Sequence, residues 1–236
     1  YYIVSIDKED YNCYTDNIVT NNNVISQIER RIIMSLPDRS IDPKILDCAK
    51  AEFLEKGFAD ASLRSICSKA GVTTGALYKR FSGKEALFEA LISPTLQAVE
   101  TLVSQTEQYD YEQLDKNQMC SVWDSSEKTL KGIMGFLYEH YDGFRLLLCY
   151  AEGSVYSDFL NDFVADHAKR TMVFAETAYQ KKISSIHLEE DEIHMILTAY
   201  WSVIFEPIKH ELPKEKALQY CSTIAKLFNW QAVFGF

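Results

Sequence analysis

The sequence predicts an all-α fold in which several short helices precede a set of longer ones. Apolar residues recur at helical spacing along most of the chain after Met34. Glycine and proline are few, nine and five of 236 residues, which favours helices over a turn-rich β protein. With 47% apolar residues the chain can build a packed core, and because no 18 apolar residues run together we expect no membrane span.

The first 33 residues differ in composition from the rest of the chain. They contain no Ala, Leu, Gly, Pro or Met, and the first methionine is Met34. We therefore expect residues 1–33 to be a non-native leader or a disordered extension, with a native start at Met34. A genuine N-terminal extension is the alternative. The segment has no basic start or apolar run and so is not a signal peptide.

Caps and turns define the short helices that follow. Asp42 before Pro43 predicts a helix start with Asp42 as its N-cap, and Gly57 suits a left-handed cap at the end of that helix. A second helix is expected to start at Ser62 and to stop at Gly71.

Thr73 is expected to cap a third helix, which leaves Tyr78, Lys79 and Arg80 mostly outward. The S-x-x-E pattern from Ser82 is a capping box and predicts a fourth helix there.

The remaining segments are also predicted to be helical. Pro94 predicts a kink or a break in the fourth helix, and residues 105–120 are polar enough to hold a loop. Further helical segments are expected at about 121–140, 143–151, 156–182, 190–210 and 214–231.

One short part of this acidic chain has no acids. The formal net charge is −10, yet residues 62–84 contain five cations and no Asp or Glu. Thr74, Gly75 and Ala76 are small enough to let the backbone approach another molecule closely, while Lys79, Arg80 and Lys84 can neutralise phosphates. Three short helices with tight turns and a cationic third helix are the layout of a helix-turn-helix DNA reader.

The same residues carry a family resemblance. The run from Ile45 to Leu87 contains, in order, EKGF, AGV, T-x-G-x-LY-x-x-F and S-x-KEAL, and it resembles the N-terminal domain of TetR/AcrR-family transcriptional regulators. The resemblance implies a helix-turn-helix DNA-binding domain at residues 34–88 and a helical ligand-binding and dimerisation domain at 89–236. It also implies a cytoplasmic transcriptional regulator that is not an enzyme. A repressor is expected, because repression is the family's commoner mode.

The resemblance assigns roles to individual positions. Thr73, Thr74 and Gly75 would face the major groove, and Tyr78 and Lys84 would contact phosphates. Lys79 occupies a position where the family often has an aromatic residue or His, so a base contact and a phosphate contact both stay open. Candidate DNA contacts on the second helix and its cap are Arg64 and Ser62.

A family member of this kind would be a homodimer on a pseudo-palindromic operator. The dimer would form through the last two long helices, about 190–210 and 214–231. Their apolar residues, including Ile204 and Cys221, could equally face the core of their own subunit.

The aromatic-rich middle helices would bind a small lipophilic or aromatic effector. An effector there would shift the fourth helix and so release DNA. For each aromatic residue an ordinary core position is the alternative. The candidate ligand-binding residues are Trp123, Tyr138, Tyr141, Phe144, Tyr150, Phe174 and Tyr200.

Other functional classes have less support. No catalytic or nucleotide-binding motif is present, and the histidines show no metal-ligand spacing, so we expect no cofactor and no metal. The alternative within DNA-binding proteins is an accessory DNA binder without a small-molecule effector.

Overall fold

Ten helices make up the part of the chain that the structure describes. A computed structural model describes residues 41–115 and 126–235, so the expectations for residues 1–33 and for Trp123 lie outside it. Within these ranges the secondary structure is helical and contains no strand, as the sequence predicts. The helices are α1 Asp42–Asp60, α2 Leu63–Ala70, α3 Thr74–Tyr78, α4 Lys84–Asp115, α5 Glu127–Glu139, α6 Tyr141–Cys149, α7 Phe159–Gln180, α8 Glu190–Lys209, α9 Lys214–Ile224 and α10 Trp230–Phe234.

The first helix begins differently from the prediction. Ile41, not Asp42, is the N-cap residue, and no side chain caps this end of α1. The carboxylate of Asp42 instead accepts a hydrogen bond from Nε of Arg80 at 2.8 Å. The predicted cap was wrong because a charged partner from beyond α3 binds the aspartate. Gly57 has the expected positive φ, 75°, and it bends the chain before the last turn of α1.

Helices α1 to α4 share one small core. Helix α1 packs against α2 and α4, and α2 packs against α3. Phe53, Phe58 and Phe88 stack edge-on or in parallel with ring centroids 5.2 to 5.9 Å apart. Large side chains of this core that are fully buried also include Ile45, Ile66, Leu77, Leu87 and Ile92.

Helix α4 is longer than predicted. It runs through Pro94 and continues to Asp115, so the loop expected at residues 105–120 is wrong for 105–115. Pro94 is exposed, which places the missing backbone hydrogen bond on the outer side of the helix. Among the described helices α4 alone is long and apolar enough to cross a membrane. This is weak evidence for a membrane span, since Leu87, Phe88 and Ile92 of the same helix are buried in the core.

The C-terminal helices are organised around α6. This short helix packs against α1, α4, α5, α7 and α8, while α7 packs along α8 and α9 along α5. A Cβ atom on Gly143 of α6 would lie 1.9 Å from Oγ1 of Thr95, so α6 crosses α4 at van der Waals contact. The segment predicted as one helix over 214–231 is two, because α9 ends at Ile224 and α10 begins at Trp230.

Two hydrogen bonds between described residues link α1 to α6 and its C-terminal end. Nζ of Lys50 donates to Asp142 at 2.9 Å, and the backbone N–H of Phe58 donates to the carbonyl of Tyr150 at 2.8 Å. The two contacts are about two helical turns apart on both helices, so α1 and α6 run parallel here. The short N-terminal helices are therefore fixed to the C-terminal helices at two points.

Candidate nucleic-acid interface

The α2–α3 segment has the cap geometry that the sequence predicts. The hydroxyl of Ser62 accepts a hydrogen bond from the backbone N–H of Ser65, and that of Thr73 accepts one from Ala76 at 3.1 Å. Gly71 ends α2 with φ 71°, a conformation that glycine adopts without steric cost. These local preferences fix the turn between α2 and α3, and hence the direction of the short helix α3.

Most of the predicted DNA contacts are exposed on this segment. Tyr78 is 55% exposed although it lies beside the fully buried Leu77. Ser62 is half-buried. The other exposed candidates are Arg64, Thr73, Thr74, Gly75 and Lys79.

A buried carboxylate holds α2 in place. Glu52 of α1 has no exposed surface, and its oxygens accept hydrogen bonds from Lys56 at 2.7 Å, Lys69 at 2.8 Å and the hydroxyl of Ser65 at 2.6 Å. The backbone N–H of Ser62 also donates to Glu52 at 3.4 Å. Glu52 thus binds both the start and the end of α2. Glu52 was not among the residues predicted from the sequence, and its only signal there was an acid on the apolar face of α1.

Three of the five cations between residues 62 and 84, namely Lys69, Arg80 and Lys84, are already bound to other groups of the protein. Lys69 is paired with Glu52. Arg80, with a side chain only 9% exposed, is bound to Asp42 and donates to the carbonyl of Ala76, so the expectation that it faces outward was wrong.

Lys84 has a capping role in this structure. Its ammonium donates to the carbonyl of Ala59 at 2.8 Å and lies 4.6 Å from the ring centroid of Phe58. It therefore satisfies the end of α1, where backbone carbonyls lack helical partners. The phosphate contact predicted for Lys84 stays a prediction. A phosphate would have to bind the N–H groups of the ammonium that do not donate to Ala59.

Arg64 and Lys79 are exposed, and neither side chain has an ion-pair or hydrogen-bond partner among the residues that the structure describes. The structure adds Lys44 to them. Lys44 is exposed in the first turn of α1, and a Cβ atom on Gly71 would lie 3.6 Å from its Nζ. A third available cation is thus next to the α2–α3 turn. We call the exposed side chains of Lys44, Arg64, Thr73, Thr74, Tyr78 and Lys79, with Gly75, the contact surface.

Residues 45–91 match a family profile described as "Bacterial regulatory proteins, tetR family". Through this segment the chain is similar to the TetR family of regulators. The match includes α1 from Ile45 onward, α2, α3 and the beginning of α4, and it confirms the resemblance carried by the motif from Ile45 to Leu87.

Two named relatives match the same part of the chain. The HTH-type transcriptional regulator UidR of Escherichia coli (strain K12) is 43% identical over 49 residues, which are 21% of this chain and 25% of UidR. The HTH-type transcriptional regulator SrpR of Pseudomonas putida is 42% identical over 50 residues, 21% of this chain and 24% of SrpR. The chain thus matches about a quarter of the length of these relatives.

A solved structure is similar over a greater length but at low identity. The TetR-like transcriptional regulator from Rhodococcus sp. RHA1 is 18% identical, with a TM-score of 0.47, and the alignment covers 85% of this chain and 100% of that one.

The candidate ligand residues fall into separate clusters. Tyr138 and Tyr141 stack at 5.3 Å, and Tyr141 and Tyr150 lie on either side of Arg145. Phe174 contacts Tyr111 of α4 at 5.8 Å.

The other two described candidates lie deeper in the fold. Phe144 is buried against Phe205, with ring centroids 5.8 Å apart. Tyr200 is buried against Trp230 at 5.3 Å. The structure therefore does not bring all of the described candidates into one cavity, and Phe144 and Tyr200 have the surroundings of core residues.

An apolar groove lies between α8 and the segment that leads into α10. Its volume is about 420 Å³, and Met195 and Leu227, 65% and 62% exposed, are among the residues that line it. Ile204 and Cys221, considered above for a dimer interface, are fully buried within their own chain. The exposed apolar surface in this part of the chain therefore includes Met195 and Leu227, and it does not include Ile204 or Cys221.

Proposed function

We propose that this protein is a DNA-binding transcriptional regulator, acting as a repressor that binds a pseudo-palindromic operator as a homodimer. It would act in the cytoplasm, without a cofactor and not as an enzyme. The observation that carries the proposal is the contact surface, which combines three available cations with small residues on α3. In an acidic protein such a surface favours a polyanionic partner, and the net negative charge elsewhere limits non-specific adhesion.

Each residue of the contact surface has a proposed role. Thr73, Thr74 and Gly75 approach base edges in the major groove, where a thin helix surface is needed. Tyr78 donates its hydroxyl to a phosphate oxygen. Lys44 and Arg64 neutralise phosphates on either side of α3, and Lys79 contacts a phosphate or a base.

The salt dependence of DNA binding tests these assignments. The assay is fluorescence anisotropy with a labelled fragment from upstream of the protein's own gene, titrated at several salt concentrations. Lys44→Ala and Lys79→Ala should each weaken binding. Lys44→Ala should make the slope of log K against log salt less steep by about 2 per dimer, because it removes one phosphate contact per protomer. Lys79→Ala should change the slope by the same amount if Lys79 contacts a phosphate, and by less if it contacts a base.

Lys69→Ala is the matched control for that experiment. Lys69 lies in the same acid-free segment and its side chain is 45% exposed, but its ammonium is bound to Glu52. The control should leave the salt slope unchanged. A slope that changes equally for Lys69→Ala, Lys44→Ala and Lys79→Ala would mean that overall charge and not the contact surface determines binding. If the unmodified protein binds no upstream fragment at low salt, the proposed function is wrong.

Dimerisation is proposed to use the exposed side of α8, α9 and the segment that follows α9. Met195 of α8, Tyr220 of α9 and Leu227 after α9 are exposed, and the apolar groove offers a surface that a second copy can cover. Met195→Asp with Leu227→Asp should shift the protein from dimer to monomer in analytical ultracentrifugation. Val173→Asp is the control, because Val173 is 58% exposed on α7 and does not line the apolar groove.

A small lipophilic or aromatic effector is proposed to release the operator. The alternative is an accessory DNA binder without an effector. A thermal-shift screen with lipophilic compounds separates the two. A dose-dependent shift, accompanied by loss of DNA binding, supports the effector, and a screen without any shift supports the accessory role.

A further inference from the structure

An arginine lies between two tyrosine rings at the point where α6 meets the α8–α9 connection. The side chain of Arg145 is 17% exposed. Its Cζ is 5.6 Å from the ring centroid of Tyr141 and 5.5 Å from that of Tyr150. Tyr138 stacks on the first of these rings and donates its hydroxyl to the carbonyl of Leu212. The guanidinium is thus enclosed by aromatic surface contributed by α5 and α6.

The hydrogen-bonding capacity of this guanidinium is only partly used. Nη2 donates to the carboxylate of Glu211 and to the hydroxyl of Tyr150, the latter at 3.3 Å. Nε of Arg145 is buried and has no hydrogen-bond partner among the described residues. A guanidinium carries five N–H donors in a planar fork, and a buried donor without a partner is costly. A carboxylate that bound through two of these N–H groups would be held more strongly than a single oxygen of Glu211.

The carboxylate that now occupies this arginine can leave it easily. The side chain of Glu211 is 54% exposed, so it can turn into water at little cost. The backbone of Glu211 has φ 50°, which is unfavourable for a residue other than glycine. Glu211 therefore has the properties of a carboxylate that occupies Arg145 until an external carboxylate replaces it.

We propose that Arg145 binds the carboxylate of a small aromatic acid, which displaces Glu211 and places its ring against the tyrosines. This inference rests on the proposed effector-responsive function and narrows the effector to a class of chemistry. The guanidinium selects the carboxylate, and Tyr138, Tyr141 and Tyr150 supply flat apolar surface for an aromatic ring.

The same contacts connect the site to the contact surface. The hydroxyl of Tyr150 lies 3.4 Å from Glu211, and the carbonyl of Tyr150 accepts the hydrogen bond from the N–H of Phe58. Phe58 in turn lies under Lys84 at the start of α4. An acid that displaces Glu211 thus alters the surroundings of a residue that holds the end of α1. The free energy available for release of DNA is the difference in the acid's affinity for the two states of the protein.

Titration calorimetry of the full chain with benzoate and 2-naphthoate tests the proposal. Benzamide and 2-naphthamide are the matched neutral controls, since they keep the ring and lose the charge. At least one acid should bind the unmodified protein, and the amides should bind at least about tenfold more weakly. Failure of both acids to bind, or equal binding of acid and amide, overturns the proposal.

Two variants test the competition directly. Glu211→Gln should bind the acid about tenfold more tightly, because it removes an internal competitor for Arg145. Arg145→Gln should lower the affinity about tenfold to a hundredfold. Arg170→Gln is the control, since Arg170 is 42% exposed on α7 and paired with Asp166. If the ion pair between Arg145 and Glu211 has only a structural role, Glu211→Gln should be less stable and should bind the acid no more tightly than the unmodified protein. That result overturns the proposal.

Folding of the variants is checked by circular dichroism. If Arg145→Gln does not fold, Arg145→Lys keeps the charge but not the fork, and it should bind the acid more weakly than the unmodified protein. DNA anisotropy then separates this inference from the proposed function. Ligand-free protein that binds DNA but shows no response of any kind to the acids overturns the inference alone, whereas ligand-free protein that binds no DNA overturns the proposed function.

Discussion

Replacing the buried carboxylate of Glu52 by an amide should loosen α2 from α1. The carboxylate accepts two hydrogen bonds from lysine ammonium groups, and bonds to charged groups contribute about 1.5–3 kcal/mol each. Lys56 and Lys69 are 39% and 45% exposed and can return to water, and the amide avoids the cost of a buried charge. We therefore expect Glu52→Gln to lower the free energy of unfolding by about 1–3 kcal/mol, and Tm by about 2–12 °C in a chain of this size.

The dependence on pH adds a second test. Burial alone would raise the pKa of Glu52, but hydrogen bonds from Lys56, Lys69 and Ser65 outweigh it and lower the pKa to about 2 from an ordinary 4.5. A lowered pKa in the folded state means that the ionised carboxylate stabilises the fold above pH 4.5 and that this contribution is lost as the pH falls towards 2. The difference in stability between the unmodified protein and Glu52→Gln should therefore shrink over that window.

Urea unfolding followed by circular dichroism at pH 7, 5 and 3 measures this difference. Glu55→Gln is the matched control, because Glu55 lies on the same helix and also contacts Lys69, at 3.5 Å, but is 64% exposed. The control should change the stability by less than about 0.5 kcal/mol. The reasoning is refuted if Glu52→Gln is as stable as the control, or if its loss of stability is the same at pH 7 and at pH 3.

Three further predictions concern packing, turn geometry and a buried histidine. Gly143→Ala should destabilise the fold by about 1–3 kcal/mol in urea unfolding, because a Cβ would lie 1.9 Å from Oγ1 of Thr95, and an unchanged midpoint would mean that α4 and α6 separate freely. Gly71→Ala should cost about 1 kcal/mol or more because of the positive φ at the turn, and it should weaken DNA binding, whereas normal stability would argue against that turn. Burial lowers the pKa of His167 to about 4, and its Nδ1 accepts a hydrogen bond from Trp201 at 2.7 Å. As pH falls from 6.5 towards 4 the unmodified protein should thus lose up to about 3 kcal/mol relative to His167→Gln, and parallel pH profiles would contradict this.

The sequence predicted the parts of the fold that depend on local preferences. Ser62, Gly71 and Thr73 occupy the cap and turn positions assigned to them, because a hydroxyl acceptor and a positive φ are requirements of the adjacent backbone alone. The family profile, which matches residues 45–91, includes all three of these positions.

The errors arose where a distant residue changed the local outcome. Asp42 has the composition of a cap but binds Arg80, and a count of cations could not show that Lys69 and Arg80 are already paired. The polar segment 105–115 remains helical because it continues α4.

The candidate ligand site could be predicted only as a set of aromatic residues. Helical spacing does not show which rings of α5, α6 and α8 meet, because that depends on how the helices cross. The structure groups Tyr138, Tyr141 and Tyr150 around Arg145, a residue that the sequence pattern did not single out. Lys44 could not be predicted for the same reason, because it lies on α1 and reaches the α2–α3 turn only through the packing of these helices.

Selection of bound DNA from a random pool tests the central claim most directly. A homodimer that reads DNA through the contact surface should enrich a two-fold symmetric site with half-sites about 34–36 Å apart or a multiple of that distance. The same selection with Lys79→Ala should give weaker or altered enrichment, and with Lys69→Ala it should return the same site. A pool that stays random after repeated rounds, or that yields the same site for all three proteins with equal strength, would contradict the account.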